Sequence, residues 1–144
     1  MPEESWFYIQ EVKELEGVAQ WVVPLITETP LVLLKGEMGS GKTTLVKYIC
    51  RALGCDEQMS SPSFGIINEY VITPNNSRVY HMDLYRIRNR EELLQLGIDE
   101  YISFKSPLFI EWPEILEPYL EESHLTIDIR ILGNQRKIHI FHKG

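Results

Sequence analysis

Leu31-Val32-Leu33-Leu34-Lys35-Gly36-Glu37-Met38-Gly39-Ser40-Gly41-Lys42-Thr43 is the stretch on which the reading of this chain turns. Its second part, from Gly36 to Thr43, is a complete G-x-x-x-x-G-K-[ST] loop. That pattern holds the polyphosphate of a nucleotide together with a magnesium ion. Glycines permit backbone conformations that a Cβ forbids, so the loop can turn its N–H groups inward. The helix that follows points the positive end of its dipole at the same place. Lys42 is expected to reach the β- and γ-phosphates and the Thr43 hydroxyl to ligate the metal. Glu37, Met38, Gly39, Ser40, Gly41 and Thr44 complete the expected binding loop.

The flanks have the form this chemistry needs. Pro30 opens the apolar run Leu31 to Leu34, which suits a strand buried on both faces. Lys42 to Leu53 predicts a helix with Leu45, Ile49, Ala52 and Leu53 on one face, stopped by Gly54 at position C′. Strand, glycine loop and helix follow one another without a gap.

The chain has 144 residues, the length of one domain, and a single domain over residues 1–144 is expected. At 44% hydrophobic and 24% charged it has the composition of an ordinary soluble protein. No apolar run approaches membrane-spanning length, and the acidic Met-Pro-Glu-Glu-Ser start has no signal-peptide form, so a cytoplasmic location is expected. Cys50 and Cys55 fit neither a redox C-x-x-C nor a zinc spacing and are read as reduced structural thiols. A net charge of −7 argues against direct gripping of nucleic acid. Arg86, Arg88 and Arg90 are the nearest basic cluster and read equally as a solvated face.

Trp6 to Ile9 predicts a short first strand. Val12, Leu15, Ala19, Val22 and Ile26 recur at helical steps, with Pro24 expected to end that helix early. Cys55 to Ser63 reads as a polar connection. Phe64 to Ile72 and Arg78 to Asp83 read as an antiparallel hairpin around the turn at Thr73-Pro74-Asn75-Asn76-Ser77. Asn89 is an N-cap candidate for a short helix ending near Leu96 and Gly97. Leu108 to Glu111 is a further buried strand. In the tail, Leu125, Ile127, Ile129 and Ile131 alternate with Thr126, Asp128 and Arg130, turn at Gly133-Asn134, and return through Lys137 to Phe141. The whole describes an α/β fold, a P-loop NTPase domain with a mixed central sheet flanked by helices.

Two acids end apolar strands, Asp83 after Val79-Tyr80-His81-Met82 and Glu111 after Leu108-Phe109-Ile110. A carboxylate there is poorly hydrated unless it meets a cation, and magnesium supplies one. An inert acid at a strand-to-loop junction is the plainer alternative for either taken alone. Ser63, in Ser61-Pro62-Ser63-Phe64, either contacts the γ-phosphate or metal or belongs to an ordinary Ser/Pro turn. His81 shares a strand face with Asp83 and either lines the site or packs. His139 and His142 read as solvated. Trp112 either packs or gates access to the nucleotide.

These residues together resemble the TsaE (YjeE) family, the small P-loop ATPase of bacterial tRNA threonylcarbamoyladenosine biosynthesis. The family's G-D-L-G-A-G-K-T-T is similar to Gly36 through Thr44, and its S-P-T-F to Ser61 through Phe64. Its H-x-D-L-Y-R is similar to His81 through Arg86, a Leu-Gly-x-Asp-Glu segment to Leu96 through Glu100, and its E-W-P-E-R to Glu111 through Glu114. The resemblance implies ATP and Mg2+ as ligands. It implies Lys42 and the loop amides on the phosphates, Thr43 and Glu111 on magnesium, and Asp83 ligating metal or orienting the attacking water. Lys42, Asp83 and Glu111 are then the expected catalytic set. It further implies TsaB and TsaD as partner proteins and contact with tRNA only through that complex. TsaD transfers the threonylcarbamoyl group and the ATPase supports turnover. Ser63 stands where the family usually has threonine, and Ile115 where it often has arginine.

A small-molecule or nucleoside kinase is the rival enzyme reading, since Gly39-Ser40-Gly41-Lys42-Thr43-Thr44 also suits such enzymes. The expected hairpin after the P-loop helix argues against it. A GTPase switch lacks its N-K-x-D segment here. A non-catalytic nucleotide-binding subunit is the third possibility.

Overall fold

The computed structural model describes residues 4–63, 66–72 and 75–144, with the backbone alone over 56–63. In chain order the strands and α-helices are β1 (Glu4–Ile9), α1 (Leu15–Glu28), β2 (Leu31–Lys35), α2 (Lys42–Leu53), β3 (Cys55–Ser63), β4 (Ile67–Ile72), β5 (Ser77–Asp83), α3 (Arg90–Gln95), α4 (Ile98–Ser103), β6 (Leu108–Glu111), β7 (His124–Leu132) and β8 (Gln135–Lys143). The strands form one eight-stranded sheet in the order β1-β8-β7-β2-β6-β5-β4-β3. The inner pairs β7–β2, β2–β6 and β6–β5 are parallel, and the outer pairs are antiparallel. The mixed sheet expected from the sequence is thus present.

β2 shows why the apolar run at Leu31 to Leu34 is continuous. Successive side chains point to opposite faces, and both faces are covered. Val32 and Leu34 pack with Val22 and Ile26 of α1 and Leu45 and Ile49 of α2. Leu31 and Leu33 pack on the other face with Leu93 and Ile98 from α3 and α4. Four large side chains buried here each contribute about 1.5–3 kcal/mol.

Four local expectations are corrected. α1 does not end at Pro24 but continues to Glu28, with Pro24 on its exposed side. An interior proline costs about 3 kcal/mol. Burial of Val22 and Ile26 on either side of it is worth about as much or more, and the carbonyl left without an α-helical partner belongs to Gln20, an exposed residue. Val12 lies in a single 3-10 turn before α1 and is exposed, so the buried stripe starts at Leu15. In α2 the buried residues include Val46 and Cys50, while Ala52 is exposed. Finally, Cys55 to Ser63 is an edge strand paired with β4, with a shift of register between Asp56 and Ser61. An edge position needs no apolar alternation and tolerates Pro62, so composition alone conceals the strand.

The hairpin of β4 and β5 is as expected, with Phe64, Thr73 and Pro74 outside the described residues. Asn89 caps α3, its Oδ1 accepting from the Glu92 N–H at 2.9 Å. β7 and β8 pair from His124↔Lys143 to Leu132↔Gln135, and β8 also pairs with β1. His139 is not freely solvated: its ring stacks on Trp6 at 3.6 Å, with Nε2 2.9 Å from Glu4 Oε2. Among the described residues, no helix is long and apolar enough to cross a membrane.

Candidate functional site

The glycine loop leaves the end of β2 and enters α2. Gly36 has φ 153, and a Cβ there would meet Ser40 Oγ at 2.6 Å and the Ile129 carbonyl oxygen at 2.7 Å. The residue is glycine because β7 and the loop's own far side approach it so closely. Gly41, at φ 112, is the left-handed N-cap from which α2 starts. The Ser40 N–H donates to the Glu37 carbonyl at 3.1 Å and tightens the turn between them.

Lys42 is buried, and its ammonium donates to the Gly36 carbonyl at 2.6 Å across the loop. The same ammonium lies 3.5 Å from the centroid of the Trp112 ring. Trp112 reaches it from a left-handed backbone, φ 56 and ψ 56, immediately before Pro113. Such a conformation is rare for a bulky residue. Burial lowers the pKa of Lys42, while the charges of Glu111, Asp83 and Glu114 pull it part of the way back.

Asp83 and Glu111 end adjacent parallel strands and are register partners. Their surroundings differ. Glu111 is 3% exposed, and its Oε2 accepts a hydrogen bond from Thr43 Oγ1 at 2.7 Å and lies 2.6 Å from His81 Nε2. Burial pushes Glu111 upward, but the His81 bond and charge, the Thr43 hydroxyl and the Lys42 charge outweigh it and hold the carboxyl below its usual range. Asp83 is exposed, and its Oδ1 accepts from the Tyr85 N–H at 3.0 Å. His81 is buried behind Glu111 and bonded to it, rather than packing in the core alone.

A cleft of about 260 Å³ is bounded by the loop, Asp83, Glu111, Tyr85 and Trp112. Behind the loop a larger cavity of about 440 Å³ is lined by Ile9, Gln10 and Val12 on one side and by Asn134, Arg136 and Ile138 on the other. Gly39, Ser40, Gly41 and Thr44 border both. The structure thus brings together Met38 through Thr44, Asp83 and Glu111. Glu37 is exposed beside this group, and the Ser63 side chain lies outside the described residues. Two site residues escaped the sequence reading. Tyr85 packs on Trp112 with ring centroids 4.9 Å apart, and Arg136 Nε donates to the Ser40 carbonyl at 3.2 Å. Tyr85 sits two residues after Asp83 and was within reach of a closer reading. Arg136 comes from β8, far along the chain from the loop, and carries no local signal.

A glycine loop between a buried parallel strand and a helix, with acids ending the next two strands, defines a P-loop NTPase fold. Within that class the chain belongs to the TsaE family. The family model described as threonylcarbamoyl adenosine biosynthesis protein TsaE matches residues 9–138. The TsaE protein of Bacillus subtilis is 31% identical over 125 residues, covering 87% of this chain and 77% of the relative. That of Haemophilus influenzae is 33% identical over 123 residues, covering 85% and 77%. A crystal structure of Bacillus subtilis YdiB superimposes with a TM-score of 0.73 at 27% identity, covering all of this chain (100%) and 88% of the other.

Proposed function

We propose that this chain binds Mg·ATP in the loop and hydrolyses it in support of TsaB and TsaD, in the threonylcarbamoyl modification of the tRNA adenosine next to the anticodon. Membership of the TsaE family carries the pathway. One observation supports the chemistry above the rest. The Thr43 hydroxyl and the Glu111 carboxylate are in contact at 2.7 Å, although they stand on different elements. That juxtaposition presents two hard oxygen donors of the kind magnesium takes. Asp83, the register partner of Glu111, adds a second carboxylate at the same sheet end.

Thr43 and Glu111 would hold the ion, with Asp83 holding it or a water. Magnesium held there would neutralise charge on the nucleotide's phosphates. The chain's own residues do the remainder. The loop amides and the α2 N-terminus hold the phosphates. Lys42 supplies a positive charge that is poorly solvated and hence electrostatically strong. His81 fixes the Glu111 carboxylate through Oε2. Asp83, exposed and less constrained, is free to orient the attacking water. The cavity behind the loop, with apolar Ile9, Val12 and Ile138 beside the Gln10 and Asn134 amides, has the size and mixed lining that suit a nucleoside.

The cleft at Asp83 and Glu111 is open, and among the described residues lining it Lys42 is the one cation. Charge stabilisation of the arginine-finger kind is worth roughly 10³–10⁵ in rate. We therefore read the protein as a slow ATPase alone, completed by its partners, acting in the cytoplasm and meeting tRNA only through them. Steady-state ATP hydrolysis, measured alone and with TsaB and TsaD added, tests this. Stimulation on addition is expected. Fast hydrolysis alone, unchanged by the partners, would defeat it, and phosphate transfer to a small acceptor would favour the kinase reading.

A further inference from the structure

We propose that Arg136 is a positioning residue for the phosphate loop, acting through the Ser40–Gly41 peptide; the inference rests on the phosphate-binding reading above. The half-buried Arg136 Nε–H donates to the Ser40 carbonyl at 3.2 Å, and Nη1 donates to the Gln135 carbonyl at 3.2 Å. The two bonds tie the guanidinium between its own strand and the loop. A trans peptide is planar, with its C=O and N–H pointing in opposite directions. Fixing the Ser40 carbonyl toward β8 therefore turns the Gly41 N–H away from β8, toward the side of the loop that faces the cleft of Asp83 and Glu111. Gly41, at φ 112, has no Cβ to hold that peptide plane by itself and is free to rotate. Arg136 removes this freedom.

A second contact makes the same hairpin the loop's support. The Ile129 carbonyl of β7 lies 2.7 Å from where a Gly36 Cβ would be. β7 thus leaves no room for a side chain at the first glycine of the loop, while β8 holds the peptide entering the last. The loop is clamped at both ends by strands distant from it in sequence.

The atom that matters is Nε, which makes the substitutions informative. Glutamine places its amide nitrogen at the same distance along the side chain, and methionine places a methyl group there. Isothermal titration with Mg·ATP is compared across wild type, Arg136→Met, Arg136→Gln and Lys42→Ala, each checked for folding by thermal melting. Arg136→Met should raise Kd about tenfold, the usual scale for losing one well-placed charged hydrogen bond. Arg136→Gln should recover most of that loss. In steady-state hydrolysis the Met variant should raise KM with little change in kcat, because ground and transition states use the same amide. Loss of Lys42 should weaken binding independently. Wild-type affinity in Arg136→Met with a defect in Lys42→Ala would overturn the role of Arg136 alone. A Gln variant as weak as the Met variant would do so too, by showing that only charge matters. Wild-type affinity in both Met and Ala variants would overturn the phosphate-site reading as well. If the Met variant does not fold, Arg136→Leu replaces it: its side chain carries no donor, and wild-type Kd there would likewise overturn the proposal.

Discussion

The Lys42 ammonium lies 3.5 Å from the centroid of the Trp112 ring while it donates to the Gly36 carbonyl. The lysine expected to meet phosphate is thus occupied by two weaker partners. Phosphate oxygens offer a charge-assisted bond that outcompetes both. Binding should therefore lift Lys42 from the ring and change the indole's surroundings. Mg·ATP is expected to alter tryptophan emission. Trp112→Phe should remove most of the change, although Trp6 and Trp21 remain on β1 and α1. Unaltered emission at saturating nucleotide would show that Lys42 stays on the ring.

The two acids should fail in different ways. Glu111 touches Thr43 and is buried, whereas Asp83 is exposed and its carboxylate accepts from the Tyr85 N–H in its own turn. Glu111→Ala should raise the magnesium concentration needed for ATP binding. Asp83→Asn should mainly lower kcat. Magnesium titrations of binding and rate on both variants decide it, and identical defects would refute the division.

The depressed pKa of Glu111 has a signed consequence. A carboxylate held below its unfolded value contributes stability that is complete above about pH 4.3. That contribution is lost as pH falls through the lowered folded value. Wild type should therefore lose melting temperature in acid more steeply than Glu111→Gln, which has no such proton to take up. Melting curves across the acid range check this, and parallel profiles would contradict it.

Gly36→Ala should damage the loop and the fold together. The new Cβ meets Ser40 Oγ at 2.6 Å and the Ile129 carbonyl at 2.7 Å. Overpacking of this kind costs about 1–3 kcal/mol. A lowered urea midpoint with weakened nucleotide binding is expected, and a wild-type midpoint would show that β7 yields easily.

Pro24→Ala should stabilise. The proline lies inside α1 on its exposed side, where it removes a helical bond, and alanine restores that bond without disturbing the buried Val22 and Ile26. A gain of up to about 3 kcal/mol is expected from the denaturation midpoint, with nucleotide affinity unchanged.

The candidate phosphate site was legible because its parts are local. Gly36 through Thr44 carries its own chemistry, and Asp83 and Glu111 announce themselves as acids after apolar runs. The order of strands brings those acids side by side, which no spacing shows. Pro24 misled because local preference disfavours a helix there, while burial of Val22 and Ile26 decides. β3 was missed because Cys55 to Ser63 is polar and contains Pro62, a composition that an edge position tolerates. Arg136 was invisible because its meaning lies in a carbonyl on another strand's loop.

β1 pairs with β8, with Glu4 opposite Phe141, so the two ends of the described chain meet along one edge of the sheet. The cleft at Thr43, Asp83 and Glu111 is built from elements between β2 and β6. The cavity behind the loop needs Ile9 and Gln10 together with Asn134 and Arg136. Contacts so far apart in sequence form late, because the chain between them must first be ordered. During synthesis the strand ends that carry Asp83 and Glu111 can therefore come side by side while the nascent chain is still lengthening. The loop that Arg136 braces and the cavity behind it are complete only after β8 has emerged and paired with β1, so the part of the site proposed to hold nucleotide waits for the end of the chain.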